Sequence, residues 1–270
     1  MYSNYLAMNL SELELEREKW VENLKYAAII QQSLLPKKRH LDRIFTEHAL
    51  IYEPLEYVSG DFYWVAKRDY FEYIAVGDCT GHGVPAAMLS VFVLNILEYL
   101  VMNKGLINTS EILKELDKRF IESFHDRQDH LYNNEWIDIS LVCINRRMNE
   151  IYFSSANRKM VLVKGNGELI VQKGNNYPIG GWQFDENRDF KVLIAPFEAD
   201  DLLYLGSDGF QNQLGGEKIK KFSSNRLHQF LQENARLPLT EQFNLLREEW
   251  EEWKGMNDQT DDICLFGTRL

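Results

Sequence analysis

The chain has 270 residues, of which 45% are hydrophobic and 26% charged, and its formal net charge is −11. That length and balance allow one large domain with a sizeable core, or a domain with an appendage. The acidic surplus excludes a nucleic-acid backbone as the main partner, because such a partner demands a basic surface.

At the N-terminus, Met1–Leu10 lacks the basic start and cleavage site of a secretory leader. Leu6, Leu10, Leu13, Arg17, Trp20, Leu24, Ala27, Gln31 and Leu34 then recur in alternating steps of four and three. That spacing is a heptad seam on one long helix, which must stop before Pro36. Two readings of the helix stand: it packs on its own domain, or it forms a parallel coiled coil that joins two copies or connects to an upstream sensor. Residues 1–36 are therefore read as a regulatory linker helix and 37–270 as the main domain, with Lys37-Lys38-Arg39 a solvated connection.

From His48 the pattern changes. "HALIYEP", "DFYWVA", "FEYIAVGD", "WIDISLVCIN", "EIYFSSA", "KMVLVKG", "ELIVQKG", "FKVLIAP", "DLLYLGSDG" and "DICLFGTRL" are short aromatic or β-branched runs between polar or glycine turns. Helical patterns interrupt them at Pro85–Met102, Thr109–Phe124, Glu217–Glu233 and Leu239–Trp253, with Thr109 or Ser110 as a cap for the second. Val84–Met102 is long enough to cross a bilayer, but Asn95, Glu98 and a first-turn Pro85 suit a core helix better. Strands arriving as hairpins with few helices inserted predict an α+β fold of antiparallel sheets covered by helices. Cys79, Cys143 and Cys264 are too scattered for a zinc site or a disulfide framework and fit a reducing compartment.

Aspartates collect where strand runs begin or end. Asp61 sits in "VSGDFYWV", Asp78 closes "YIAVGD", Asp208 closes "LLYLGSDG", and Asp261 and Asp262 open "DDICLFG". A buried carboxylate without a partner is costly, and no basic residue is adjacent in sequence to Asp78 or Asp208. Convergence on divalent cations is the economical explanation. An all-oxygen donor set suits Mg²⁺ or Mn²⁺ rather than zinc. Two such ions about 3.5–4 Å apart can hold a bridging water as hydroxide. In "VGDCTGHGVPAAM" the glycines let the backbone turn sharply beside an ion, and Val84-Pro85 begins a helix whose N-terminal end favours anions.

"SGDFYWV", "VGDCTGHGVPAAMLS", "YLGSDGFQNQLGG" and "TDDICLFG", in this order and preceded by "IIQQSLLP", resemble the SpoIIE-type serine/threonine phosphatases, bacterial members of the metal-dependent type 2C class. The resemblance runs from about Gln31 to the C-terminus. It implies an α-β-β-α sandwich of two antiparallel sheets flanked by helices, with two Mn²⁺ or Mg²⁺ ions at one end and the N-terminal helix as an extension. It implies that Asp78 bridges both ions. The Cys79 carbonyl and Asp61 would help hold one ion, and Asp208 and Asp261 the other. Asp262 is left to a supporting or turn role. The implied reaction is hydrolysis of phosphoserine or phosphothreonine by a metal-bridged hydroxide, with Asp61, Asp78 and Asp208 acting as ligands and not as nucleophiles.

Departures from the family pattern carry their own expectations. A histidine follows Asp-Gly directly in eukaryotic relatives, whereas His82 follows Cys-Thr-Gly, so a turn-stabilising role is expected of it. Relatives carry Ala-Gly-His where this chain has Ala156-Asn157-Arg158; Arg158 is a candidate ligand for substrate phosphate, the alternative being a solvated hairpin arginine. The resemblance further implies a phosphorylated STAS-type anti-sigma-factor antagonist as substrate. It also implies a homodimer through the N-terminal helix and a cytoplasmic domain whose parent chain carries an upstream sensor or membrane region. A non-catalytic phosphoprotein scaffold and a small-phosphoester hydrolase are the alternatives.

Overall fold

A computed structural model of the chain describes residues 2–124, 135–181 and 188–270, with side chains from residue 12 onward. The long helix α1 (Tyr2–Leu34) ends ahead of Pro36, and a short α2 (Lys38–Ile44) follows. Lys37, Lys38 and Arg39 are exposed to solvent, and Lys38 opens α2 and pairs with Asp42 one turn on, at 2.8 Å. In chain order come β1 (His48–Glu53), β2 (Asp61–Arg68), β3 (Phe71–Cys79), α3 (Gly83–Glu98) and α4 (Thr109–Phe124). Then follow β4 (Trp136–Asn145), β5 (Glu150–Ala156), β6 (Lys159–Val163), β7 (Leu169–Lys173), β8 (Ile179–Gly180), β9 (Leu193–Pro196) and β10 (Leu202–Gly206). The chain closes with α5 (Gly209–Asn212), β11 (Leu214–Gly215), β12 (Lys220–Lys221), α6 (Ser224–Glu233), α7 (Leu239–Lys254) and β13 (Ile263–Arg269).

The strands form two antiparallel sheets. One runs β1-β13-β10-β6-β7; the other runs β2-β3-β4-β5-β9, with β8 added beside β4. Alternation decides which side chains enter which core. In β10, Leu203 and Leu205 point into the layer between the sheets, while Leu202 and Tyr204 point outward to α6 and α7. Cys264 and Phe266 of β13 follow the same inward rule, against Ile263 and Leu265 outward. The outer layer over the first sheet is filled by Leu227, Phe230, Leu239, Phe243, Leu246 and Trp250. Helices α3 and α4 cover the second sheet through Ala86, Val93, Leu97, Ile112, Leu116 and Phe120. The result is the expected sandwich of two antiparallel sheets with helices on both outer faces.

The apolar segment from Gly83 to Asn103 passes the length and hydropathy test for a membrane span, yet it packs on β2 and β3 as a core helix. Its last turn, Tyr99–Asn103, is π-helical. One predicted cap and one predicted boundary change. Helix α4 spans Thr109–Phe124 as expected, but its cap is Asn108, whose side-chain oxygen accepts from the Ser110 amide at 3.0 Å; the Thr109 hydroxyl bonds Ser154 instead. The pattern read as helix from Glu217 is helical only from Ser224, with the Ser223 hydroxyl accepting from the Arg226 amide and β12 ahead of it.

The seam of α1 divides. Gln31 is buried and Leu24 and Ala27 are half-buried, whereas Leu13, Trp20 and Leu34 are exposed. Beside the seam, Ala28 is buried against Val58 and Ala87. Leu6 and Leu10 lie outside the residues whose side chains are described.

Candidate active site

Strand register assembles the first three carboxylates. Asp61 opens β2 directly opposite Asp78 near the end of β3, and Asp78 stands opposite Asp138 on β4. Three aspartates thus form one row across neighbouring strands, where like charges repel. From the other sheet, Asp208 follows β10 and Asp261 precedes β13, which are hydrogen-bonded neighbours. Packing of the two sheets brings the groups to one end of the sandwich. Asp138 had no place among the expected residues.

Glycines make these approaches possible at two points. Gly81 and Gly83 take φ of +82° and +71°, a turn that other residues rarely adopt. A Cβ on Gly209 would stand 1.8 Å from the Asp262 carbonyl oxygen, so only glycine lets the Asp208 and Asp261 loops meet. The "DCTGHG" turn is tied down by Thr80: its amide and hydroxyl donate to the Trp136 carbonyl, and the hydroxyl accepts from the Trp136 amide. His82 takes no part in that. It is exposed, 3.9 Å from Glu56, and makes no capping bond, so the turn-stabilising expectation is not met. Cys79 is buried, and its backbone packs against Gly60 at the mouth of the turn.

Arg158 is not the solvated hairpin arginine that one of the two readings allowed: its side chain is 9% exposed and lies among the carboxylates. One terminal nitrogen donates to Asp78 and lies 3.5 Å from Asp138, while the other is 3.3 Å from Asp208. The preceding Asn157 adopts φ of +56°, and its side-chain Nδ2 donates to Asp138 at 2.9 Å. Asparagine is among the few non-glycine residues that tolerate this conformation. The cation missing from the sequence neighbourhood of Asp78 and Asp208 therefore arrives from a distant hairpin.

Burial pushes the Asp78 carboxyl up to about 7, with Asp208 and Asp261 adding to the rise and Arg158 opposing it. Asp61 is also raised, by burial and then by the Asp78 charge, against the Ser207 hydroxyl that donates to it. Burial raises Asp138 and Asp261 as well. One guanidinium cannot neutralise this many carboxylates, and the Arg158 Nε finds no acceptor of its own among the described residues. The donor set is all oxygen, which fits Mg²⁺ or Mn²⁺. Among the described residues no three acidic, thiol or imidazole groups converge as a ready-made metal cage, because the oxygens of Asp78, Asp138 and Asp208 turn toward Arg158.

Behind the row lies a buried support. Both oxygens of Asp262 are engaged, by the amides of Leu55 at 2.7 Å and Gly60 at 2.8 Å, so this carboxylate shapes the Gly60 turn. Gln31 of α1 accepts from the Ser59 amide at 3.0 Å and donates to the Ser59 carbonyl and the Ser90 hydroxyl. Ser59 in turn accepts from the Asp61 amide at 3.0 Å. The polar seam position in the linker helix is thus two hydrogen bonds from Asp61.

The chain matches the family model described as Stage II sporulation protein E (SpoIIE) over residues 72–270. Among solved structures, the SiaA-PP2C domain of Pseudomonas aeruginosa is 28% identical with a TM-score of 0.84, covering 94% of this chain and 98% of that one. The PP2C phosphatase domain with a fragment of the regulatory domain of SpoIIE from Bacillus subtilis is 20% identical with a TM-score of 0.65, covering 83% of this chain and 61% of that one. RsbX in complex with magnesium is 15% identical with a TM-score of 0.56, covering 83% of this chain and 94% of that one. The latter two likenesses concern the fold alone. No curated protein sequence matches this chain.

Proposed function

Since the chain belongs to the SpoIIE family and is a PP2C-type serine/threonine phosphatase domain, we propose that Asp61, Asp78, Asp138, Asp208, Asp261 and the Cys79 carbonyl hold two Mn²⁺ or Mg²⁺ ions for hydrolysis of a phosphorylated protein. The single observation that carries this assignment is the register of Asp61, Asp78 and Asp138 across three strands, met by Asp208 and Asp261 from the facing sheet. Bound divalent cations supply an activated water and neutralise charge on phosphoryl oxygens.

The chain's own groups do the remainder. Arg158 can present two parallel N–H groups to phosphoryl oxygens. The N-terminal end of α3, opened by the Gly81–Gly83 turn, adds a favourable field for the anion. Ser207 and Ser59 hold Asp61 by its side chain and its amide, and Asp262 holds the Gly60 turn, so the carboxylates meet the reacting group without reorganisation.

The substrate we propose is a phosphoserine- or phosphothreonine-bearing STAS-type protein. The support is the family and the motif set. Residues 1–36 are proposed as a linker helix to the catalytic domain over 37–270, dimerising through the exposed Leu13 and Trp20 of α1 and linked to an upstream sensor or membrane region. A cytoplasmic location is proposed on the three buried free thiols, Cys79, Cys143 and Cys264.

The test is phosphate release from a phosphoserine or phosphothreonine protein, with and without Mn²⁺, by wild type and Asp78→Ala. Metal-dependent release that vanishes in the variant is expected. Equal release by both proteins would remove Asp78 from the centre of the chemistry.

A further inference from the structure

The guanidinium of Arg158 and a divalent cation draw on the same oxygens. Arg158 touches Asp78, Asp138 and Asp208, which are carboxylates assigned above to metal binding. Its side chain is almost wholly buried. A positive charge is therefore already built into the middle of the cluster, carried by the fold itself.

We propose that Arg158 is an internal counter-ion that competes with the divalent cations for Asp78, Asp138 and Asp208, and so sets the metal concentration at which the site loads. The proposal rests on the metal-site reading given above. Three observations support it. Among the described residues the Nε hydrogen has no acceptor, so this guanidinium is held by carboxylate charge more than by a complete hydrogen-bond set. Two positive charges cannot share a small buried volume without strong repulsion, so loading must displace the guanidinium. The side chain has somewhere to go: with Gln211, Ser224 and His228, Arg158 lines an adjoining cavity of about 70 Å³.

Competition of this kind has a defined purpose. Held by Arg158, part of the repulsion among the aspartates is offset and their strand ends stay together. Once displaced, the same guanidinium is free to meet the phosphoryl group. One residue thereby links metal loading to the capacity to bind substrate.

The experiment is calorimetric titration of the full chain with Mn²⁺ alone, for wild type, Arg158→Gln and Arg158→Lys. Arg158→Gln is expected to bind Mn²⁺ about tenfold more tightly or better, within the usual range for coupled sites, with Arg158→Lys between the two. Equal or weaker binding by Arg158→Gln overturns the proposal while leaving the metal site standing. Failure of wild type and variants alike to bind millimolar Mn²⁺ overturns both the proposal and the metal-site reading. Should Arg158→Gln not fold, the wild type decides alone. Phenylglyoxal labelling of Arg158, read by peptide mass spectrometry, is expected to accelerate several-fold on Mn²⁺ saturation. Unchanged or slower labelling overturns the proposal.

Discussion

Asp138 sits between Ile137 and Ile139 in a strand run with no glycine and no turn beside it, so no local signal sets it apart from a solvent-facing strand aspartate. Its place opposite Asp78 gives it a role that its neighbours in sequence do not announce. Asp138→Asn keeps the shape and removes the charge. The variant is expected to fold normally by circular dichroism and to lose about 10–100-fold in kcat/KM, with weaker Mn²⁺ binding. A second residue-scale prediction concerns Glu47. Its carboxylate accepts from the Leu239 amide at the start of α7 and from Arg269 at the end of β13. Burial works to raise its carboxyl, but the Arg269 and Leu239 bonds outweigh it and hold the group below the ordinary glutamate value. A depressed folded-state carboxyl contributes stability above the unfolded value and loses it as pH falls through the folded value. Glu47→Gln is therefore expected to cost about 1 kcal/mol at neutral pH, the low end for a charge-assisted bond because the pair is partly in water. The difference from wild type should vanish in acid below the folded value, as read by urea unfolding at the two pH values.

Element-scale behaviour turns on α1. Its last turns belong to the domain, because Gln31 is buried against Ser59 and Ser90. A polar residue in a heptad seam weakens a coiled coil, and here it is spent on the turn that positions Asp61. Gln31→Leu preserves bulk but leaves the Ser59 amide and carbonyl without partners. A stability loss of about 1–3 kcal/mol is expected in denaturant, accompanied by weaker Mn²⁺ binding because the Ser59–Asp61 turn loosens. Stability loss with unchanged metal affinity would mean that α1 supports the fold without reaching the site. Helices α6 and α4 show how side chains at a helix start set its boundary and its cap. The apolar face read from Glu217 onward is real, but Ser223 adopts φ of +80° and supplies the cap, so the helix waits until Ser224. At α4 the side chain of Asn108 reaches the backbone amide before Thr109 can, and Thr109 turns to Ser154.

For the whole molecule, the open question is what the free part of α1 meets. Trp20 is 70% exposed and Leu13 62%, both on the seam and away from the catalytic domain. Isolated, such a helix end gains little from burial, whereas a second copy would cover both residues at once. The full chain is therefore expected to be a dimer by light scattering at micromolar concentration. Trp20→Glu should shift it to monomer, and Arg17→Leu should strengthen the association. A monomeric wild type would leave the linker helix without its proposed self-partner.

Sequence alone determined the kinds of element and their order, because side-chain periodicity and glycine turns are local properties of the chain. The apolar runs in "DLLYLGSDG" and "DICLFGTRL" placed β10 and β13, while their inward and outward faces came from the packed sheets. The same local reading found Asp61, Asp78, Asp208 and Asp261, since each lies where an apolar run meets a turn. The family resemblance left Asp262 a supporting or turn role, and its carboxylate accepts from the Leu55 and Gly60 amides. Tertiary structure decided what lies opposite what. Asp138 is 60 residues from Asp78 in the chain and joins it through strand register; Arg158 reaches Asp78 across a sequence separation of 80. Register is fixed by long-range pairing and by packing of the buried faces, which no window of sequence contains. For that reason the chain's local pattern disclosed the carboxylates at strand ends, and only the folded sheets disclosed Asp138 and the cation that stands among them.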